Sequence, residues 1–329
     1  MRRRALYHKG NDCKIYPAPG YLHCLLVSGN NIYLPQANGN KLYILSTAPS
    51  TAGQITEVSL LTTSVGTSRL WIFTGHGNIF MPLYISDKID IYRTSSGTVD
   101  TKQLLGNDDP RPYHWGTPTD VTGDNVYCIY GGSGSRMRVG EFNMATETFT
   151  EWHENTNTIL AGVDPQFYIY NNILYYITSR NNSLYSFNLQ NKTFNLTSLG
   201  NTLYYDNKMI GVGDRIYFFH KKDVRIYNIA TGAFLNTFSF PFLTHDIYNR
   251  DVVTRVGANL YIPGNPFIDS KINIIETPGH VLTHAIVSPN PEITSNSTIY
   301  FTSNDANSQQ SIHWIWTDIT ESKVIIIQP

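Results

Sequence analysis

A short motif recurs seven times along this chain. In each copy a polar turn rich in Gly or Asn precedes aliphatic residues and then an aromatic residue, and successive aromatic residues lie 39 to 48 positions apart. Gly and Asn supply the backbone conformations that tight turns require, and an apolar run after a turn is typical of a β-strand. The copies are residues 29–33, 77–80, 123–127, 171–175, 213–217, 257–261 and 296–300.

A second pattern follows the first within each repeat. A strand that ends in a short polar turn leads directly into another strand, and the clearest examples are 91–99, 141–149, 186–194 and 226–234. A period of about 40 residues in a chain of strands is typical of a β-propeller, in which each blade is a four-stranded sheet. We therefore predict an all-β fold, a seven-bladed β-propeller with four antiparallel strands in each blade.

The repeats also set the predicted boundaries. Residues 18–329 form a single propeller, and residues 323–327 are its last outer strand. Residues 1–17 form an N-terminal arm or a closing strand, for which 13–16 is the candidate segment. As an arm, the three arginines Arg2, Arg3 and Arg4 would dock onto an acidic partner, and the alternative is a loosely attached tail. The predicted blades are 18–64, 65–108, 109–156, 157–200, 201–241, 242–287 and 288–329.

The composition argues against two classes of partner. The net charge is −1 and no long basic run is present, whereas proteins that follow nucleic-acid phosphates need a concentrated basic surface. Nucleic acid is therefore not an expected partner. No apolar stretch reaches the length of about 18 residues that spans a bilayer, so membrane insertion is not expected. The basic start of the chain lacks a following apolar segment, so we also expect no secretory signal.

The sequence carries no motif for catalysis or metal binding. The ten histidines show neither the His-x-His nor the HExxH spacing. The three cysteines Cys13, Cys24 and Cys128 lack the spacing of metal ligands, and we interpret them as small buried hydrophobic residues. We therefore predict no cofactor, no metal site and no catalytic residues.

The period and the aromatic anchors resemble those of the kelch-like, galactose-oxidase-type β-propeller superfamily. The resemblance covers residues 20–329, and the paired glycines of that family stand at Gly131-Gly132, after Tyr130. It implies ligand binding at one face, where loops between the second and third strands meet loops between blades. No copper ligands are carried over, because no motif marks the Tyr, His and Cys residues involved. The tryptophans are scattered, at Trp71, Trp115, Trp152, Trp314 and Trp316.

The longest connection between two blades, 108–115, contains the main candidate site. Arg111, Tyr113, His114 and Trp115 together could stack on a sugar ring and hydrogen-bond to its hydroxyls. Arg and aromatic residues are also frequent in the energetic centres of protein interfaces. The alternative is that Tyr113 and Trp115 fill the gap between two blades.

Three further residues are candidates on the same face: Arg136, Arg180 and His245. The alternative for each is an exposed loop residue with no ligand. We predict that the long loops between the second and third strands, which would shape this face, are 131–137, 263–270 and 303–310.

These patterns favour a non-enzymatic binding or assembly module. The setting we predict is a virion, as a component of a bacteriophage tail or tail-like particle, because the chain is poor in charge and cysteine and rich in Asn, Thr and Tyr. Its partner would be a host-surface glycan or protein, or a neighbouring structural subunit. One alternative is a cytoplasmic kelch-like adaptor. Another is a propeller enzyme, either a lyase or hydrolase of polysaccharides or a metal oxidase.

Overall fold

The structure, a computed structural model, shows an all-β chain. The part of the chain that it describes contains strands, turns and bends but no helix. The all-β class predicted from the repeats is therefore confirmed. The described residues are 13–20, 22, 24–62, 71–83, 86–104, 114–115, 122–130, 138–153, 166–177, 183–199, 208–220, 223–239, 254–256, 259–263, 271–276, 281–286, 298–301, 312–317 and 321–327.

Most strands are short, and tight turns or longer connections separate them. In chain order they are β1 (Cys13–Pro19), β2 (Leu26–Ser28), β3 (Asn31–Pro35), β4 (Lys41–Ser46), β5 (Ile55–Ser59), β6 (Phe73–Gly75), β7 (Asn78–Pro82), β8 (Lys88–Arg93), β9 (Thr98–Gln103), β10 (His114–Trp115), β11 (Asn125–Tyr130), β12 (Arg138–Asn143), β13 (Thr148–His153), β14 (Gln166–Tyr170), β15 (Ile173–Ile177), β16 (Ser183–Asn188), β17 (Phe194–Ser198), β18 (Lys208–Val212), β19 (Arg215–His220), β20 (Asp223–Asn228), β21 (Ala233–Ser239), β22 (Thr254–Val256), β23 (Asn259–Pro263), β24 (Lys271–Glu276), β25 (Val281–Ile286), β26 (Thr298–Phe301), β27 (Ile312–Thr317) and β28 (Glu321–Ile327).

These strands pair into four-stranded antiparallel sheets, seven of them among the described residues. We number the sheets in chain order: sheet 1 (β2–β5), sheet 2 (β6–β9), sheet 3 (β10–β13), sheet 4 (β14–β17), sheet 5 (β18–β21), sheet 6 (β22–β25) and sheet 7 (β26–β28 with β1). In sheets 1 to 6 the order of strands in the sheet is the chain order. Each of these sheets is therefore a meander drawn from one predicted blade segment, and this arrangement is consistent with propeller blades.

Sheet 7 departs from the prediction. Its order is β26, β27, β28 and then β1, which pairs with β28 from Cys13↔Ile327 to Pro19↔Glu321. The prediction that 323–327 is the outermost strand is wrong, because β28 is the third strand and β1 takes the fourth position. The aromatic anchor Tyr300 likewise lies on the first strand instead of the second. The spacing of the aromatic residues alone does not show to which of two adjacent apolar strands such a residue belongs.

The outer edge of sheet 7 carries prolines. Pro17 and Pro19 both lie on β1 and are two residues apart, so they occupy the same kind of position in the antiparallel ladder. Proline has no N–H to donate, and it fits an edge strand only where that group would point away from the neighbouring strand. Both prolines therefore mark β1 as an edge that does not pair further.

Burial falls from the inner to the outer strands of a sheet. All four residues of β3 after Asn31 are buried, so its apolar run is covered on both faces. The outer strands β5 and β17 are mostly exposed, and they carry Thr, Ser, Asn and Glu at many positions. This gradient shows that neighbouring sheets cover each other near their inner strands and diverge at the rim.

Neighbouring sheets pack face to face through apolar side chains. Leu26 and Tyr33 of sheet 1 share a buried cluster with Ile79 and Met81 of sheet 2. At the next interface Phe80 lies edge-on against Phe142 of sheet 3, with the ring centroids 5.4 Å apart, a favourable aromatic geometry. A further cluster joins sheets 3, 4 and 5 through residues that include Ile129, Tyr176 and Phe218.

The interface between sheets 4 and 5 contains an unusually close contact. The ring of Tyr168 on β14 lies directly over Gly211 on β18, where an added Cβ would come within 1.9 Å of the ring. The Tyr168 hydroxyl donates a hydrogen bond to the carbonyl oxygen of Gly213 at 2.9 Å. Glycine at position 211 therefore sets the distance between these two inner strands.

We expect the Gly211→Ala substitution to lower the free energy of unfolding by about 1–3 kcal/mol, since the ring of Tyr168 or the backbone must move. Chemical denaturation monitored by intrinsic fluorescence measures this loss. The double variant Gly211→Ala/Tyr168→Ala should lose little more than Tyr168→Ala alone, because the clash is gone. Equal losses from Gly211→Ala in both backgrounds would contradict the contact.

Candidate functional site

The two ends of the sheets differ in the length of their connections. At one end, the turn face, the first and second strands and the third and fourth strands are joined mostly by tight turns. The other end, the loop face, has the connections between the second and third strands and the connections between successive sheets. Connections between sheets, such as 60–72, 104–113, 154–165 and 240–253, are much longer than the turns. The sequence prediction placed the ligand at this second end.

Contacts between sheets show that their turn faces lie side by side. His76 in the first turn of sheet 2 is 2.8 Å from a carboxylate oxygen of Asp124 in the corresponding turn of sheet 3. Arg93, at the end of β8, bonds to Glu147 in the turn between β12 and β13. Sheets 2 and 3 therefore have the same polarity, and their loop faces also lie at one end.

One position in the turn before each outer strand favours glycine. It is Gly97 in sheet 2 and Gly232 in sheet 5, both with positive φ, but Glu147 in sheet 3 and Lys192 in sheet 4, with φ of 56° and 60°. A left-handed conformation costs a non-glycine residue about 1–2 kcal/mol. Both charged residues make contacts to the preceding sheet that offset this cost.

Glu147 joins sheets 2 and 3 through two cations. Its carboxylate accepts hydrogen bonds from Arg93 on β8 and, at 3.1 Å, lies beside the Lys102 Nζ on β9. The side chain is only 13% exposed, so water screens these charges weakly. The hydrogen bond from Arg93 is the main reason why the pKa of Glu147 lies below its usual value, and Lys102 lowers it further.

Lys192 repeats the arrangement between sheets 3 and 4 with the charges reversed. Its Nζ is 3.1 Å from the Glu141 Oε2 and 4.0 Å from the centroid of the Trp152 ring. Both partners lie on sheet 3. A cation over an indole face and beside a carboxylate gains from both interactions. The turn faces of sheets 2, 3 and 4 are thus linked by charge.

Asparagine side chains hold these turns in shape. The Asn143 Oδ1 accepts hydrogen bonds from the backbone N–H groups of Ala145 and Thr146, and the Asn188 Oδ1 does the same for Gln190 and Asn191. This is the local side-chain bonding for which Asn is favoured in turns. The Asn that these two turns share is therefore a structural residue.

A buried carboxylate lies between sheets 1 and 2. Asp90 on β8 is fully buried, and its two oxygens accept hydrogen bonds from the hydroxyls of Thr62 and Thr101, the latter at 2.7 Å. Thr62 lies in the connection that leaves sheet 1 on the loop face. Hydrogen bonds to a charged group contribute about 1.5–3 kcal/mol each, so Asp90 fixes the start of this long connection.

The structure places two of the predicted site residues on a strand. His114 and Trp115 form β10, the first strand of sheet 3, paired as His114↔Ile129 and Trp115↔Cys128. Their assignment to a connecting loop is therefore wrong, since they contribute to the backbone ladder of sheet 3. The other candidates lie outside the described residues: Arg2, Arg3, Arg4, Arg111, Tyr113, Arg136, Arg180 and His245.

The pairing of β10 sets the start of this strand beside the end of the second strand of sheet 3. β10 begins at His114, opposite Ile129, next to the end of β11 at Tyr130.

The third long loop of the prediction, residues 303–310, lies outside the described residues. Residues 303–310 lie between β26 and β27, which are the first and second strands of sheet 7. Connections of this kind are at the turn face in the other sheets. The prediction that this loop joins a second strand to a third is therefore wrong, for the same reason that Tyr300 was assigned to the second strand.

The sequence analysis did not identify Asp90, Glu147 or Lys192. Aligned repeats carry a usable signal, because Glu147 and Lys192 replace the glycine of two other repeats. Asp90 is an acid where the aligned position of sheet 3 is Gly140 and that of sheet 4 is Tyr185. An exception within a repeat is thus a better guide to the contacts between sheets than the repeat itself.

The described part of the chain has neither a metal site nor a membrane-spanning helix. There, no group of three or more His, Cys, Asp or Glu side chains is placed to hold a metal ion. No helix in that same part of the chain is long and apolar enough to cross a membrane. Comparison with known proteins finds no family model and no curated protein that matches this chain.

We expect Glu147→Gln to lower the free energy of unfolding by about 1–2 kcal/mol near neutral pH, since a charged hydrogen bond between sheets is lost. Because the pKa of Glu147 is lowered in the folded state, its contribution is complete above the unfolded-state pKa and disappears as the pH falls through the folded-state pKa. Urea unfolding of both proteins from neutral pH to about pH 3 measures the difference.

Glu57→Gln is the matched control. Glu57 is paired with Lys41 at 2.6 Å on a single sheet, and its side chain is 53% exposed, so its loss should change stability by less than about 0.5 kcal/mol. A Glu147→Gln effect that is no larger than the control, or that persists in acid, would contradict a charged link between sheets 2 and 3.

Proposed function

We propose that the seven sheets form a closed seven-bladed propeller, as the kelch-like and galactose-oxidase-type resemblance implies. Support comes from the position of β1. It pairs with β28 of the last sheet, and its Ala18 is buried with Val27 of sheet 1 and with Leu25, which directly precedes that sheet. The last sheet is thus next to the first, and buried clusters connect sheets 1 to 5 in sequence.

The function we propose for this propeller is non-enzymatic binding or assembly through the loop face. The observation that carries this proposal is the division between the two ends of the sheets. Charged links and asparagine-bonded turns hold the turn face together, whereas the long connections between sheets all lie at the loop face. Binding residues are concentrated on loops that a rigid scaffold positions.

The residue types at the loop face favour a glycan or a protein as the ligand. We propose that Arg111, Tyr113 and Arg136 lie at this face, because Arg111 and Tyr113 precede β10 in the sequence and Arg136 lies in the sequence between β11 and β12. Aromatic rings stack on the apolar faces of sugars, and Arg donates several hydrogen bonds in a fixed plane. The same residue types dominate the centres of protein interfaces.

The position of the chain ends supports attachment at the opposite face. Cys13 is paired with Ile327, at the place where the turn between the third and fourth strands lies in the other sheets. β1 therefore begins at the turn face, and the segment that contains Arg2, Arg3 and Arg4 precedes it. We propose that this segment docks onto an acidic partner while the loop face binds the target.

The setting we propose is a bacteriophage tail or tail-like particle, in which the target is a host-surface glycan or protein or a neighbouring subunit. The low fraction of charged residues, 15%, and the abundance of Tyr and Asn support this setting. Detection of the protein in purified particles by mass spectrometry would support the setting, and its exclusive recovery from the host cytoplasm would contradict it.

The binding proposal predicts that the purified protein binds a glycan array or whole cells and that Arg111→Ala/His114→Ala/Trp115→Ala reduces this binding at least about tenfold. Thermal unfolding must show that the variant is folded, since His114 and Trp115 belong to a strand. Arg111→Ala/Arg136→Ala tests the same face without a change in β10.

The control is Asn30→Ala/His76→Ala, which alters two exposed residues of the turn face and should leave binding unchanged. Equal loss of binding in the control would contradict the assignment to the loop face. If the wild type binds neither glycans nor cells, the receptor-binding form of the proposal fails, and pulldown against particle proteins then tests the assembly form.

A further inference from the structure

Within the described ranges no further strand pairs with the outer strand of any sheet, and most of these edges carry features that prevent pairing with another chain. Charge, proline and a bulge each oppose the addition of a further strand. In β21 the pairing with β20 shifts between Arg225 and Tyr227, as in a bulge. The residues that supply charge or proline on the other edges are Glu57 on β5, Asp100 and Lys102 on β9, Glu151 on β13, and Pro17 and Pro19 on β1.

Among the outer strands whose side chains the structure describes, β17 differs. Its sequence, Phe194–Ser198, has no charged residue and no proline, and its pairing with β16 is regular throughout. The four residues after Phe194 are exposed, and Leu196 at the centre is 57% exposed. An uncharged, regular strand with an exposed leucine is the kind of edge that pairs with another strand.

The ladder between β16 and β17 determines which backbone groups face outward. The N–H of Asn188 donates to the carbonyl oxygen of Thr193 at 2.9 Å, and antiparallel pairs alternate from there. Asn195, two residues further, bonds back to β16, whereas the N–H and C=O groups of Phe194 and Leu196 point away from it. The outward groups of Leu196 thus lie at the midpoint of the strand.

We propose that β17 pairs with β17 of a second copy of this chain, antiparallel and about a two-fold axis at Leu196. In this register the N–H and C=O groups of Leu196 bond to those of Leu196 in the second copy, and Asn195 lies opposite Thr197. A two-fold interface requires a surface that complements itself. An uncharged strand whose central residue has outward N–H and C=O groups meets this requirement, because no like charges are brought together.

The nearest charge on the same hairpin does not oppose this contact. Lys192 lies in the turn before β17, but its Nζ is held 3.1 Å from Glu141 and over the Trp152 ring. A strand of five residues buries a small area, so the dimer is weak and forms at high protein concentration. On a particle that carries several copies, a high local concentration would favour it.

Sedimentation equilibrium of the full chain from about 10 μM to about 1 mM tests the proposal. The wild type should associate into dimers. Leu196→Lys and Leu196→Glu should each weaken association at least about tenfold, because identical charges meet at the axis. An equimolar mixture of the two variants should restore dimers, since the introduced charges then face each other with opposite sign.

Leu235→Lys is the matched control. Leu235 is also an exposed leucine, at 41%, on the outer strand of the adjacent sheet, but the bulge of β21 interrupts its edge. This variant should associate as the wild type does. A monomeric wild type over the whole range, an equal effect of Leu235→Lys, or a mixture that stays monomeric would each overturn the proposal, and near-ultraviolet circular dichroism confirms that every variant is folded.

Discussion

The pairing of the first strand with the last is the contact on which this architecture depends. Sheets 1 to 6 form from local hairpins, but sheet 7 gains its fourth strand from the opposite end of the chain. This contact joins residues about three hundred positions apart, so its loop-closure entropy is recovered only when the intervening sheets have formed. Ala18 then fixes the last sheet against the first through the apolar cluster around Leu25.

The interface between sheets 2 and 3 combines apolar packing with charged hydrogen bonds at the turn face. Phe80 and Phe142 exclude water between sheets 2 and 3, and Glu147 then fixes the relative position of the same two sheets through Arg93 and Lys102. The apolar contact is tolerant of small shifts, whereas the charged hydrogen bonds are not. A scaffold fixed at one end in this way leaves the loops at the other end free to differ from sheet to sheet, which is the basis of the proposed binding function.

The local repeat predicted the sheets well because turn residues and strand residues are chosen by local physics. The short polar turn before the outer strand was identified from sequence in four repeats, and the structure has it in sheets 2 to 5. The errors concern positions where the local sequence is compatible with two different structural assignments. Tyr300 fits a first or a second strand equally well, and His114 and Trp115 fit either a loop or a two-residue strand. Contacts between sheets, such as Tyr168 over Gly211, depend on residues more than forty positions apart, and no single repeat encodes them.

An engineered disulfide between β1 and β28 tests the central contact most directly. Ile15 and Ile325 are direct partners. Like Pro17, Ile15 is at a position of the ladder where the partners do not exchange backbone hydrogen bonds. The Cα atoms of such partners are about 4.5 Å apart, a separation that a disulfide spans. In a Cys13→Ser background, Ile15→Cys/Ile325→Cys should form a disulfide within one chain under mild oxidation, seen by peptide mapping, and should raise the melting temperature. The pair Ile15→Cys/Ile326→Cys, one residue out of register, should not. Failure of the first pair, or crosslinks only between chains, would contradict closure of the last sheet by the first strand.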